Sequence, residues 1–265
     1  IVSVGTVSGL YDAVSAALEQ MSPGLVVMVT ASGASEAEVA GYVTEAYFEN
    51  PLSCVNLPTT EVTMYTGGGL QRIYEINLDY GASVASLASR KEILSAELTG
   101  RVTSRGEAYR ALQAATVVME TCASNAEAGD TLWDAVHLGA ADSRGMALAF
   151  KALCDIVEVD CTVVAGRLDR AEHYWNIVTV DGASYHVDVS AAAERGLAAT
   201  FFISDADMWG HYWWDNENYP QCDGALSYAA LTEEPDSVET EAPEASPSPE
   251  VSPSQEPETE NSQSP

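Results

Sequence analysis

The sequence predicts an α+β fold: a helix packed on an antiparallel sheet, preceded by a small α/β region. Three observations predict it. Helical apolar spacing and β-branched runs share residues 1–90. A well-capped helix at 144–156 is followed by three strand-like runs joined in part by a tight turn sequence. After residue 231 the composition changes abruptly to acidic and proline-rich.

Residues 8–20 place Leu10, Val14, Ala17 and Leu18 on one helical face, and Pro23-Gly24 stops the helix. Residues 25–30 are apolar and β-branched, hence a strand. Ser35-Glu36-Ala37-Glu38 is a capping box opening a helix that runs to about Asn50, where Pro51 ends it. Residues 61–65 and 70–80 flank Gly67-Gly68-Gly69 and alternate like a hairpin. Together these form an αβαββ scaffold over 1–90. A helical connection over 91–128 follows, interrupted by Gly100 and restarted by a second capping box, Ser104-Arg105-Gly106-Glu107.

The domain expected at 129–231 opens with a short stretch at 131–138. Asp142 then caps the helix 144–156, whose apolar face includes Ala147, Phe150 and Cys154. Residues 161–165, 172–180 and 184–189 are strands, the last two joined by Asp181-Gly182 as a hairpin turn. The tail, 232–265, holds ten Asp or Glu, no Lys or Arg and seven of the eleven prolines. Such a segment cannot bury enough apolar area to offset its ordering entropy, so disorder is expected, as a solvated tail or an extended linker.

A formal charge of −29 argues against nucleic acid and anionic membranes as partners, because phosphate binding needs clustered Lys and Arg. No apolar run approaches the roughly 18–20 residues of a membrane span. The first residue is Ile1, with no basic-then-apolar leader, which is read as a processed or trimmed chain, secreted or attached to the cell surface. Cys154 and Cys161 read as core residues. Cys54, Cys122 and Cys222 allow one disulfide, without a choice of pair. No zinc-ligand spacing occurs, and no metal or cofactor is expected.

Ser143 lies at a helix N-terminus, where a partial positive charge and free N–H groups suit an anionic nucleophile or an oxyanion. A cysteine there, paired with histidine, would fall from about 8.5 to about 3–4, whereas the same dipole cannot ionise a serine hydroxyl. His173 and Asp188 lie on neighbouring strands of one hairpin, an arrangement that lets a carboxylate orient an imidazole. The plainer alternative is two polar residues pairing on a half-buried hairpin. Trp175, Asn176 and Tyr185 around them favour a site.

Residues 131–190 resemble the transglutaminase-like family, which shares the papain-like fold. The resemblance is carried by Ser143-Arg144-Gly145-Met146-Ala147 against Cys-x-Gly-x-Ala, by His173-Tyr174-Trp175-Asn176 against His-x-Trp-Asn, and by Tyr185-His186-Val187-Asp188 against Trp/Tyr-x-x-Asp. Thr162-Val163-Val164-Ala165-Gly166 stands where the family has a small hydrophobic strand, and Thr131-Leu132-Trp133-Asp134-Ala135 where a short helix precedes the nucleophile. Phe202-Ile203-Ser204-Asp205 and Tyr212-Trp213-Trp214-Asp215 are similar to closing segments of bacterial members. The resemblance implies a papain-like core with Ser143 at the nucleophile position, His173 as base and Asp188 as orienting carboxylate. Trp133, Trp175, Asn176, Tyr185, Trp213 and Trp214 are the candidate binding residues; Trp209, Tyr212 and Tyr219 join Trp213 and Trp214 in an aromatic cluster that can line a peptide or glycan groove or, equally, pack over the core beside the site. His137 reads as structural.

With serine in place of the thiol, the expected function is binding of a peptide, protein or cell-wall ligand by a catalytically impaired surface protein. The alternatives are an active hydrolase or acyl transferase using Ser143, and a purely structural surface module. A metal site built from His173, His186, Asp188, His211 and Asp215 is a weaker reading of the same residues.

Overall fold

The N-terminal sheet follows from two amphipathic helices that each return the chain to it. In the computed structural model, which describes residues 1–30 and 33–233, β1 (Val2–Val4) leads through α1 (Val7–Glu19) to β2 (Gly24–Val29), and the two strands pair in parallel. Thr6 caps α1, and its buried face carries Leu10, Val14, Ala17 and Leu18, as the spacing predicts. Ser35 and Glu38 form the predicted capping box of α2 (Glu36–Glu49). The glycine-rich segment joins β3 (Thr59–Thr66) to β4 (Arg72–Asp79) in antiparallel register. The strand order is β1-β2-β4-β3. Three residues are too few for β1 to show a period; it exists by pairing Val2 with Val27 and Val4 with Val29.

Helices α3 (Val84–Leu98) and α4 (Glu107–Thr121) supply the connection. The second capping box does not form. Gly106, at φ 83°, is the residue before α4 and gives no side-chain cap. The Thr103 and Ser104 N–H groups donate instead to Gln113 Oε1, and the Glu107 carboxylate accepts from the Asp181 N–H. A tertiary contact thus takes the glutamate that the local motif needed.

Two-residue strands β5 (Ala123–Ser124) and β6 (Ala140–Ala141) pair in parallel and bracket a π-helical turn at Asp134–Leu138. Helix α5 (Ser143–Ile156) follows, with every residue from Gly145 to Cys154 buried. A helix surrounded on all sides is a core helix rather than an amphipathic cover. Its one buried cation, Lys151, pairs with Asp155 one turn on.

The second sheet, on which α5 packs, comprises β7 (Asp160–Leu168), β8 (Ala171–Val180), β9 (Ala183–Val187), β10 (Phe201–Ile203) and β11 (Tyr212–Trp213), in the order β10-β9-β8-β7-β11 with every pairing antiparallel. Asp181 and Gly182 both adopt positive φ in the β8–β9 turn, as an Asp-Gly hairpin requires. Asp169 and Arg170 do the same between β7 and β8 without a glycine, which is why both strands run longer than their apolar runs suggest.

Strand alternation divides the sheet between two apolar clusters. Val163, Val178, Tyr185 and Val187 join the main core with α5, while Val164, Trp175 and Ile177 face a smaller cluster closed by Met208, Tyr212 and Cys222. Residues Ile1–Thr232 form one compact unit. The acidic tail from residue 234 onward lies outside the described residues. All five cysteines are buried and free, so the disulfide allowed among Cys54, Cys122 and Cys222 does not form; Cys222 belongs to the smaller cluster and Cys54 and Cys122 to the main core. No helix among the described residues is long and apolar enough to cross a membrane.

Candidate active site

Three elements bring Ser143, His173 and Asp188 into one neighbourhood. Asp142 Oδ1 accepts from the Gly145 N–H at 3.0 Å and so starts α5 at Ser143. Gly145 is required there, because a Cβ would stand 2.6 Å from that of Ala141 and 3.0 Å from the Thr131 carbonyl oxygen. Asp142→Ala should therefore lower stability by about 1 kcal/mol through loss of the cap, read as a shift in the urea midpoint with unchanged slope.

The β8–β9 register pairs Asn176 with Val187. Continued by one residue, it sets Asp188 beside Trp175 and makes His173 its diagonal neighbour on the same face. His173 Nε2 meets Asp188 Oδ2 at 2.6 Å, and the carboxylate is only 2% exposed. The same oxygen accepts from Tyr212 Oη at 2.8 Å. Asp188 Oδ1 accepts from Ser190 N–H at 3.1 Å, Ser190 Oγ at 3.0 Å and Ala191 N–H at 2.9 Å. Burial works to raise the Asp188 carboxyl, but His173 together with the Ala191 N–H and Tyr212 donors outweighs it and holds the group below its ordinary value. Burial and the adjacent Asp188 push the Tyr212 phenol up, so it stays a donor.

Ser143 Oγ is engaged differently. It accepts from the Tyr174 N–H at 3.2 Å, and among the described residues no hydrogen bond joins it to the His173 ring. With Nε2 committed to Asp188, the other ring nitrogen, Nδ1, is the one left for a reacting group.

A groove of about 720 Å³ begins at Tyr174, the residue after His173, and is lined among others by Gly166, Arg167, Arg170, Trp213 and Trp214. Trp213 is 47% exposed and offers an aromatic face to solvent. Gly166 admits no side chain, since a Cβ would come within 2.5 Å of both the Trp175 ring and the Trp213 carbonyl oxygen.

No family model matches the chain, and no curated protein matches it. Among solved structures, a TGase is similar at 10% identity and TM-score 0.37 over 63% of this chain and 51% of that one. A candidate cysteine protease from Cytophaga hutchinsonii is similar at 8% identity and TM-score 0.32 over 50% and 62%. A candidate protease from Parabacteroides distasonis ATCC 8503 is similar at 9% identity and TM-score 0.28 over 63% and 43%. The chain thus spans 51%, 62% and 43% of their lengths. The chemistry of the site rests on its own geometry.

The remaining predicted residues separate into three groups. Trp213 and Trp214 line the groove. Trp175, Asn176 and Tyr185 are buried, which corrects their reading as ligand contacts and makes them supports of the site. Asn176 Nδ2 donates to the Ala147 carbonyl and ties β8 to α5, Tyr185 stacks on Phe202, and Trp175 packs against His173. Trp133 is covered by the Arg90 guanidinium and by His137, away from the groove-lining set; His137 in turn bonds Glu97.

The five-residue metal grouping does not assemble, because each histidine takes its own carboxylate: His173 with Asp188, His186 with Asp205 and His211 with Asp169. A different trio, His186, Asp205 and Cys222, brings its donor atoms within 4.8 Å of one another. The indole N–H of Trp175 donates to His186 Nδ1, so the neutral ring carries its proton on Nε2, toward Asp205. A nitrogen holding a proton has no lone pair for a cation, and this group is a hydrogen-bonded network. Ser190 and Asp205 are the participants that sequence reasoning missed, and Tyr212, read there as part of an aromatic cluster, is instead a donor to Asp188; only the fold brings them to the site.

Proposed function

We propose that this chain is a transglutaminase-like surface protein whose site, with serine in place of the thiol, has lost thiol-dependent acyl transfer and serves to bind a peptide or cell-wall ligand. One observation carries the reading: Ser143 Oγ is held by a backbone amide instead of the imidazole. A hydroxyl needs a well-placed general base, since the helix dipole alone cannot ionise it. The three motif blocks support the family, and the groove beside His173, with Trp213 and Trp214 on its wall, supports binding. The acidic, proline-rich tail is consistent with an exported chain held away from a surface.

A second reading, an active serine hydrolase or acyl transferase, is favoured by the preserved His173–Asp188 pair, whose carboxylate accepts from four further donors. A fluorophosphonate probe separates the two. The expected result is no labelling at Ser143, with a change in Trp213 or Trp214 fluorescence when peptide or peptidoglycan fragments are added. Labelling that disappears in His173→Ala would establish the hydrolase instead.

A further inference from the structure

Beneath the His173–Asp188 pair lies a second histidine–carboxylate pair that the proposed chemistry leaves unused. Trp175 stands between the two. Its fully buried ring lies 6.2 Å from the His173 ring at an interplanar angle of 26°, while Tyr212 and Trp214 meet it nearly edge-on at 5.2 and 6.0 Å. The indole nitrogen donates to His186 Nδ1 at 3.0 Å, and His186 Nε2 lies 2.8 Å from Asp205 Oδ1. Asp205 is anchored in turn, its second oxygen accepting from the Cys222 N–H and its own N–H donating to the Cys222 carbonyl.

We propose that His186 is a positioning residue for His173, acting through Trp175. The chain Asp205–His186–Trp175 clamps the indole against which the His173 ring lies, and the clamp holds only while His186 is neutral. This rests on the reading of His173 as the site's working base. The tautomer argument gives the switch its sense. An indole is a donor only, so the bond to Nδ1 needs that nitrogen's lone pair. A second proton on His186 can go nowhere but Nδ1, where it would face the indole N–H, donor against donor. The bond is then lost and Trp175 is left buried without a polar partner.

Several groups face His186. Asp205 comes from the turn Asp205–Met208 and Cys222 from the closing segment; the Trp214 ring lies 4.9 Å away, and Ile177 sits opposite on β8. Asp188, two residues on and just past the end of β9, is occupied by His173 and Tyr212. Burial lowers the His186 pKa from its ordinary 6.5, and Asp205 opposes this without reversing it. The unfolded chain therefore binds this proton at higher pH than the folded one. Stability from the neutral network is complete above the unfolded value and declines as pH falls below it.

The test uses the full chain with nitrogen-15 at its tryptophans, Trp175→Phe assigning one indole N–H signal. Between about pH 7 and pH 4.5 the Trp175 signal should move in the parent, and stay fixed in His186→Gln. The glutamine carbonyl accepts from the indole at any pH, and its amide can donate to Asp205. In His186→Ala the His173 ring signals should shift at neutral pH, and His186→Gln should restore them. In a Ser143→Cys background, His186→Ala should slow thiol alkylation about fivefold, part of what loss of His173 itself removes, with His186→Gln within about twofold of the parent. A Trp175 signal that ignores pH, an unchanged titration in His186→Gln, or unmoved His173 signals in His186→Ala would each overturn the proposal. These readouts need no reaction, so a Ser143→Cys protein inert in every background counts against the reading of His173 as the site's working base alone. If His186→Ala fails to fold, the parent titration and His186→Gln decide.

Discussion

Replacing Ser143 with cysteine should create a thiol that iodoacetamide alkylates at pH 7 about tenfold faster than an ordinary exposed cysteine. A thiol of ordinary pKa is only about 3% ionised at that pH, so a site that stabilises the thiolate has more than an order of magnitude to gain. Part of that gain is lost again because a less basic thiolate is a weaker nucleophile. The stabilising groups are the first turn of α5, capped by Asp142, the Tyr174 N–H that now bonds Ser143 Oγ, and the adjacent His173, whose Nδ1 makes no hydrogen bond among the described residues. All five native cysteines are buried, so the background is low. His173→Ala in the same protein should return the rate to that of a simple exposed thiol. A rate that stays ordinary with His173 present would mean that the pocket does not activate a nucleophile. Mass mapping of the alkylated residue makes the measurement specific.

The largest loss of stability is expected from Asp188→Ala. This nearly inaccessible carboxylate accepts from His173, Tyr212, Ser190 N–H, Ser190 Oγ and Ala191 N–H, and the alanine leaves all five donors without their acceptor. Removing one side of a buried, charge-assisted network costs about 3–5 kcal/mol. Asp188→Asn should cost less, since its amide oxygen can keep the Oδ1 contacts, while its NH₂ group faces two donors across the other position. The two variants, compared by urea unfolding, test whether the carboxylate's charge or only its shape matters. The pH dependence follows from the lowered pKa. The unfolded group titrates near its ordinary 3.8 and the folded one below it. Stability from this network is therefore complete above the unfolded value and is lost as pH falls through the folded one. Asp188→Asn should remove that part of the acid transition, and an acid limb identical in parent and variant would contradict the network's role.

Much of the candidate site is legible from local signals. Asp142 as a cap, the helix that begins at Ser143, and the Asp181-Gly182 turn that brings the His173 and Asp188 strands together all depend on a few adjacent residues. The capping box at Ser35 formed for the same reason. The box at Ser104 failed where a distant partner, the Asp181 N–H, claimed Glu107. A motif that depends on one side chain is only as secure as the absence of a better long-range partner.

The order of residues along the chain was enough to place most of the helix caps and the residues of each strand that share a face, and to nominate Ser143, His173 and Asp188 as one candidate constellation. Tertiary structure alone decided which sheet face meets α5 and which is closed by the segment around Met208, Tyr212 and Cys222. That choice buries Trp175, Asn176 and Tyr185 while leaving Trp213 at the groove. It also hands each of three histidines a different aspartate. The physical reason is reach. Capping and strand alternation act over a few residues, whereas hydrogen bonds such as Tyr212 to Asp188 and His186 to Asp205 exist only after the chain has crossed the sheet and returned.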